Sequence, residues 1–592
     1  MRSEESAQPA KRTRRSASNR CTACARLATN KGRDELKSGF QFLTARECRI
    51  NSSNGCDVCK FILDHIEEGW EEEEMLILEE ADWPGESLFL HIQGIVSGEV
   101  LLSISVLFRD VSSNKVMRAA KSQIKRCLDN HAQCTSSAGS LLPRRIIDVG
   151  TGSDTLKLVT PEKGAHAPYL ALSYCWGGPQ PVELKKTNML GMKRGIDDTA
   201  LPQTIRDAIS ITRKLGYRYL WVDALCIVQD DPDDKQEDIR AMADIYRNAT
   251  LTISASVAEA AAQGFIHLAA IPDAQSYISF SLGSKSGLMM ATPDWGHETI
   301  VPNEITMPNE SIMPKHPLDQ RGWALQEYIL SERLLVFSGY ELLWKCGTEP
   351  LKSITESGIE YLQAQDDLPF GLHHRDADVG ASTFGSTGEE GLYNWKALVE
   401  RFTTRKLTDA DDRGGAIEGV AAALKKLGGD QYRFGMWNKW MIELLAWQPV
   451  DGSKLASGRR LSRAPTWSWI CLDSPINFPY NFDRLGASLI ELPEAEQYSP
   501  DLHDVLDVIF LCCRMLPSAN LQDQPQCFYD LKMEKPPEQA FYLYLGIRCD
   551  STESVGLVVV RARGGAFRRI GTFLMPHVSI WNTIEQQTIG LI

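Results

Sequence analysis

The chain is 592 residues long, beyond the roughly 250–300 residues at which one hydrophobic core stops growing, so two or more packed units are expected. A net charge of −14 would repel a phosphate backbone and argues against general nucleic-acid binding, and no run approaches the ~18 consecutive apolar residues of a membrane span. The opening stretch MRSEESAQPAKRTRR lacks the apolar segment of a secretory leader, and fifteen cysteines are dilute in so long a chain, so a cytoplasmic protein with reduced thiols is expected.

Residues 1–18 read as a disordered tail. Its basic cluster, Lys11, Arg12, Arg14 and Arg15, fits either a solvated tail or a nuclear address. Residues 19–150 form a cysteine-containing N-terminal region. Cys21-x-x-Cys24 and Cys56-x-x-Cys59 carry the ligand chemistry of a tetrahedral structural zinc, although the 31 residues between the pairs exceed the usual spacing of about 15–20. Cys48, and the trio Cys127, His131 and Cys134 in RCLDNHAQC, either complete or rival that site or are small core residues. The Glu71–Glu74 run reads as a solvated face.

A central domain is assigned to residues 151–350. YLALSY (Tyr169–Tyr174) reads as a buried strand ending in the turn Trp176-Gly177-Gly178-Pro179. Gln203–Leu215 keeps apolar residues at helical spacing, with Gly216 where a C-cap belongs. YLWVDALCIV is strand-like. An amphipathic helix follows Asp230–Asp234, with the acids in the first turn, where the helix dipole favours them; a solvated cap explains them better than a divalent-metal site. Leu251–Ser254 is a strand, GWALQEYIL a third helix, and RLLVFS and ELLWKC two more strands. The alternation predicts an α/β domain, a mostly parallel sheet flanked by helices. Residues 376–391 read as a linker or mobile loop. Residues 392–592 are expected to be a mixed α+β, strand-rich region: a wide apolar helical face over Met436–Trp447, a strand at APTWSWI, and a hairpin through Gly564-Gly565.

No G-x-x-x-x-G-K-[ST], G-x-S-x-G or H-E-x-x-H is present, which removes the main support for ATPase, serine-hydrolase and zincin readings. Three blocks stand out: ALSYCWGG (Ala171–Gly178), YLWVDALCIVQDD (Tyr219–Asp231) and RGWALQEYILSERLLVF (Arg321–Phe337). In this order, with LPQTIRDAI before the second and ADIYRNATLTISA after it, they resemble the fungal heterokaryon-incompatibility (HET) domain. PLDQRGW and the tryptophan-rich YRFGMWNKWMIELLAW are similar more loosely.

The resemblance implies non-self recognition and programmed cell death when unlike hyphae fuse. The family is in turn remotely similar to Toll/interleukin-receptor (TIR) domains, which implies a flavodoxin/TIR-like fold. Some TIR domains cleave NAD with a glutamate in a W-x-x-x-E helix, a spacing that Trp323 and Glu327 fit.

In a parallel sheet, the ends of YLALSY and YLWVDA would deliver Ser173, Tyr174, Trp176 and Asp223 to the carboxyl edge, where open α/β sheets bind ligands. Glu327 is the candidate catalytic carboxylate, and Ser173, Tyr174, Trp176, Asp223 and Trp323 are candidate ligand contacts, a setting suited to a cationic nicotinamide riboside. The competing readings are a surface or capping carboxylate for Glu327, a turn or cap residue for Asp223, packing for the tryptophans and a buried thiol for Cys226.

Three functions follow: an NAD glycohydrolase of cell death, with NAD as substrate; a non-enzymatic signalling or oligomerisation module acting through a protein partner or self-association; or a regulatory protein of a gene cluster without a death function.

Overall fold

A computed structural model describes residues 21–27, 40–65, 75–80, 88–94, 100–108, 111, 113–134, 140–150, 155–266, 277–282, 285–292, 316–338, 342–349, 351–354, 389–428, 430–450, 460–490, 508–521, 525–531, 539–576 and 579–592. The tail at 1–18, the Glu71–Glu74 run and residues 376–388 of the expected linker lie outside them. Residues 389–391 open a helix.

The N-terminal region begins with α1 (Thr22–Leu27), β1 (Phe40–Thr44), α2 (Ala45–Ser53) and α3 (Asp57–His65). Thr44 and Glu47 form a capping box that fixes the start of α2. Strands β2 (Met75–Glu80), β3 (Leu88–Gly94) and β4 (Val100–Phe108) follow, and then α4 (Asn114–Asn130).

The central sheet takes β5 (Ile146–Asp148), β6 (Lys157–Val159), β7 (Tyr169–Ser173), β8 (Tyr219–Trp221) and β9 (Leu251–Ser254). The hairpin β10 (Tyr277–Leu282) and β11 (Lys285–Thr292) leaves this sheet and pairs with β4, so the N-terminal sheet borrows two strands from later in the chain. Strands β12 (Arg333–Phe337), β13 (Leu342–Cys346) and β14 (Lys352–Ser353) complete the central sheet.

The central order is β14-β13-β12-β9-β7-β8-β5-β6. Only β8, β7, β9 and β12 run parallel; β5, β6, β13 and β14 are antiparallel additions at the two edges. The expected mostly parallel sheet is thus a mixed one with a parallel middle, because β12 and β13 join by a short hairpin where a parallel pair needs a long crossover. Every residue of β7, β9 and β12 is buried, as both faces of a parallel core require.

Helix α5 (Gln203–Leu215) connects β7 to β8, and α6 (Pro232–Asn248) connects β8 to β9 across β7. Movement in opposite directions along the sheet places right-handed crossovers on opposite faces. Gly216 caps α5 at φ 89°, as its position in the sequence predicts, and Asp231 caps α6 by accepting from the Asp234 amide at 3.4 Å. The strand expected through YLWVDALCIV stops at Trp221. There Asp223 turns its carboxylate onto the Ala224 amide at 2.7 Å and a single helical turn, Asp223–Cys226, begins.

Helix α7 (Gly322–Leu330) precedes β12, and it packs with α6 and with α9 (Gly415–Gly428), which follows α8 (Glu389–Thr403). One continuous apolar core runs from Val111 through the central sheet to Leu591.

In the C-terminal region the large sheet is built from β15 (Phe482–Leu485), β16 (Ser488–Ile490), β17 (Ile509–Pro517), β18 (Gln526–Tyr529), β19 (Ala540–Arg548), β20 (Ser554–Arg561), β21 (Phe567–Met575) and β22 (Gln587–Leu591). Pairing of β17 with both β22 and β19 closes β19-β20-β21-β22-β17 into a ring. The expected β20–β21 hairpin turns through Gly564 and Gly565, both at positive φ.

Two expectations fail here. Met436–Trp447 is a two-residue strand, a 3-10 turn and one short helix (Met441–Leu444), because Phe434 at φ 43° and Gly435 at φ 83° set a tight hairpin just before it. APTWSWI is a turn running into a 3-10 helix at Trp469–Cys471, where Ser468 caps the Ile470 amide at 3.0 Å and Trp467 and Trp469 are buried together. Among the described residues no helix is long and apolar enough to cross a membrane.

Candidate functional site

In the parallel order β8-β7-β9-β12 the connection after β7 leaves toward β8 and the one after β9 leaves toward β12, so the strand order switches at the carboxyl ends of β7 and β9, where open α/β sheets bind ligands. Ser173, the last residue of β7, sits in register with Ser254, the last of β9. Beyond Ser173 the chain passes through Tyr174, Cys175 and Trp176 into Gly177, at φ 69°. A Cβ on Gly177 would lie 2.1 Å from Ala260 Cβ, so only glycine lets this loop lie against the segment after β9. The Ala261 amide fixes it by donating to the Trp176 carbonyl at 3.1 Å.

Helix α7 brings Glu327 to this edge. Ser331 ends the helix, its Oγ 2.6 Å from the Glu327 carbonyl and 2.7 Å from Thr252 Oγ1 of β9, so the turn bearing Glu327 is tied to the sheet. The Glu327 side chain is 5% exposed and accepts a hydrogen bond from Ser173 Oγ. A surface or capping role for this carboxylate is therefore excluded.

Arg321, immediately before the helix, donates through Nη1 to the Tyr174 carbonyl, and its charge acts on both Glu327 and Asp223. Asp223 holds Trp176 Nε1 at 2.7 Å. It is thus both the turn residue read from the sequence and part of the cluster. Tyr246 from α6 donates to the Leu172 carbonyl at 3.0 Å and ties α6 to β7 beneath the cluster.

Burial dominates the electrostatics. It raises the Glu327 carboxyl to about 7, against the lowering effects of Arg321 and the Ser173 hydrogen bond; Asp223 adds a smaller upward push. Asp223 is raised for the same first reason. The Tyr174 hydroxyl, buried beside Asp223, is pushed up by burial and then by the charge of Asp223. Two carboxylates thus share one guanidinium in low-dielectric surroundings, and both ionised they leave one negative charge uncompensated. Ser173, Tyr174 and Glu327 are buried, whereas Trp176, Asp223 and Arg321 keep part of their surface in solvent.

The structure therefore brings together Ser173, Tyr174, Trp176, Asp223 and Glu327. It does not bring Trp323 with them: the indole Nε1 donates to Asp412 at 3.1 Å, and the ring lies against Gly415 at the start of α9. Sequence reasoning missed Arg321 and Tyr246. Arg321 carried a signal, a cation at a helix N-terminus where the dipole disfavours it. Cys226 is a buried thiol raised to about 12, chiefly by burial. The acids at the start of α6 are occupied by basic partners: Asp231 pairs with Lys186 at 2.9 Å and Asp234 with Arg144 at 2.8 Å.

Far from this edge in sequence, Cys21, Cys24, Cys56 and Cys59 place their sulfur atoms within 4.8 Å of one another, a spacing that a single metal ion such as zinc can bridge. Sγ–Sγ distances of 3.7 Å (Cys21–Cys59) and 3.6 Å (Cys24–Cys59) are far too long for disulfides, and Cys48 is buried nearby.

A family model described as "Heterokaryon incompatibility protein (HET)" matches residues 169–327, the stretch from the first residue of β7 to the buried glutamate. A curated relative, "Heterokaryon incompatibility protein 6, OR allele" from Neurospora crassa, is 34% identical over 88 residues, covering 14% of this chain. The chain spans only 13% of that relative's length. No solved structure matches. With the ordered blocks, the family match and the relative in agreement, residues 169–327 of this chain are identified as a HET domain.

Proposed function

We propose that this protein acts in fungal vegetative incompatibility, in non-self recognition leading to programmed cell death, and that its HET domain works as a TIR-like NAD glycohydrolase with Glu327 as the catalytic residue. The observation that carries the reading is the uncompensated carboxylate pair, Glu327 and Asp223, at the carboxyl end of β7. The parallel order β8-β7-β9-β12 is the 2-1-3-4 order of flavodoxin-like folds, in which ligands bind at this point of the sheet.

A surplus negative charge among buried groups favours a cationic ligand, and the nicotinamide ring of NAD is one. Cleavage breaks the bond between ribose C1′ and the ring nitrogen; the electron pair leaves with nicotinamide, water adds to C1′ and releases a proton. The Glu327 carboxylate stabilises the positive charge that develops on the ribose, as carboxylates do in glycoside hydrolysis. Ser173 orients that carboxylate, and Trp176 with Asp223 forms the partly exposed side of the cluster. Because Glu327 acts ionised, the rate should rise with pH through about 7.

The test is NAD loss and nicotinamide release by the purified full chain. Glu327→Ala should abolish both while leaving the fold intact. Absence of turnover in every assembly state would sink the catalytic reading.

The burial of Ser173, Tyr174 and Glu327 favours a second reading, a signalling module that binds a protein partner or its own copies. In that case cell toxicity survives Glu327→Ala and is lost only when surface contacts are disrupted. The Cys21, Cys24, Cys56 and Cys59 cluster is read as a structural zinc site, since its sulfur spacing is close to the ~3.8 Å edge of a tetrahedron with Zn–S bonds of about 2.3 Å.

A further inference from the structure

A second group of metal-ligating side chains lies where the N-terminal region meets the HET sheet. Cys127 occupies the last turn of α4, His131 is the residue that ends that helix, and Cys134 closes the 3-10 turn after it. Cys346, the final residue of β13, comes from more than two hundred residues away and lies against them. The four ligand atoms fall within 4.8 Å of one another. Cys346 Sγ and His131 Nδ1 are 3.5 Å apart. A tetrahedral zinc with Zn–S of about 2.3 Å and Zn–N of about 2.0–2.1 Å has a sulfur–nitrogen edge of about 3.6 Å. All three cysteines are at most 2% exposed, and all are free thiols.

The surroundings match those of a ligated site. Arg333, fully buried, directs Nε at Cys127 Sγ at 3.3 Å and donates to the Cys134 carbonyl. The Glu349 amide donates to Cys346 Sγ at 3.3 Å, and Thr348 Oγ1 lies 3.4 Å from Cys134 Sγ. Such contacts orient thiolate ligands and hold their charge. Three thiolates, one neutral imidazole and a divalent ion carry a net single negative charge, and a guanidinium is the group that offsets it.

We infer that Cys127, His131, Cys134 and Cys346 hold a structural zinc ion that fastens α4 to the edge hairpin of the HET sheet. Arg126 of α4, paired with Glu349 at 2.5 Å, adds an ionic tie beside it. The hairpin held in this way begins with β12, which directly follows the helix carrying Glu327, so the metal braces the far side of the catalytic element. The site is separate from the Cys21–Cys59 cluster and from the carboxylate pair, and it stands whether or not the domain turns over NAD.

The experiment is elemental analysis of the full chain purified without added metal. Cys346→Ser should lower the zinc content by one equivalent relative to the wild type, and His131→Cys should retain it. A variant with Cys21, Cys24, Cys56 and Cys59 all replaced by serine should keep one equivalent and, loaded with cobalt(II), show the absorption of a tetrahedral sulfur-rich site. Should Cys346→Ser fail to fold, alkylation of the wild type decides: a chelator should expose Cys127, Cys134 and Cys346 to N-ethylmaleimide together. Unchanged zinc in a folded Cys346→Ser, or labelling of these three thiols that is indifferent to the chelator, overturns the proposal.

Discussion

Asp530 and Glu327 are two of the buried carboxylates among the described residues, and their surroundings drive them in opposite directions. Asp530, in the C-terminal region, is 0% exposed and accepts from Arg569 at 3.0 and 2.9 Å and also from Arg460. Burial raises its pKa, but the two guanidiniums outweigh burial and the net shift is downward. Glu327, 5% exposed, ends at about 7. The ratio of partners decides: two guanidiniums serve one carboxylate at Asp530, whereas one guanidinium serves two carboxylates at Glu327. The first is a completed structural cluster, with Arg569 also donating to the Leu445 and Trp447 carbonyls and lying 3.5 Å over the Trp447 ring. The second is left short of positive charge, which is what a site for a cationic ligand needs.

That contrast breaks most visibly if the Asp530 cluster is opened. Arg569→Met should cost about 3–5 kcal/mol, since a buried carboxylate loses its bidentate partner, and the midpoint of urea unfolding would report it. A loss under about 1 kcal/mol would mean that Arg460 alone suffices.

The next effect lies at Glu327. Its folded pKa stands above its unfolded one, so its stabilising contribution is complete below about pH 4.5 and is lost as pH rises through about 7. Wild type should therefore lose on the order of 3 kcal/mol across that window relative to Glu327→Gln, which lacks the titration. Parallel pH profiles of unfolding free energy for the two proteins would contradict the assignment.

Smallest is Trp176→Phe. It removes the N–H that holds Asp223 and should cost about 1 kcal/mol, with the Asp223 carboxyl moving further up. Carbon-detected NMR titration of the aspartates would show no movement if that hydrogen bond were incidental.

Much of the parallel middle was legible because short buried strands and amphipathic helices carry local signals. Tyr169–Ser173, Gln203–Leu215 and Gly322–Leu330 follow from apolar spacing and caps alone. The β5–β6 edge was not legible, because antiparallel additions such as Ile146–Asp148 look like any short apolar run. APTWSWI misled because alternating tryptophans mimic a strand whenever they are buried on both sides of a turn.

At the site, Ser173 and Asp223 could be named from their places on strand ends, whereas Glu327 was named through the W-x-x-x-E spacing that the family resemblance implies. Arg321 could not be paired with them in advance, since its partners come from three separate blocks. Cys346 escaped because nothing local distinguishes a cysteine at a strand end from a core thiol. Its meaning comes entirely from residues on α4.

Gly322 donates its amide to the Lys406 carbonyl at 2.8 Å, and the Lys406 amide returns to the Gln320 carbonyl at 2.6 Å. A Cβ on Gly322 would lie 2.5 Å from Leu407. The segment bearing Arg321 is thus stitched by its own backbone to a chain portion that no family boundary includes. Excising residues 169–327 would leave those amides and carbonyls without partners and bare the side of α7 that packs on α9. The stretch recognisable as a family sequence and the stretch that packs as one body are therefore different lengths, and the edge bearing Glu327 depends on the longer one.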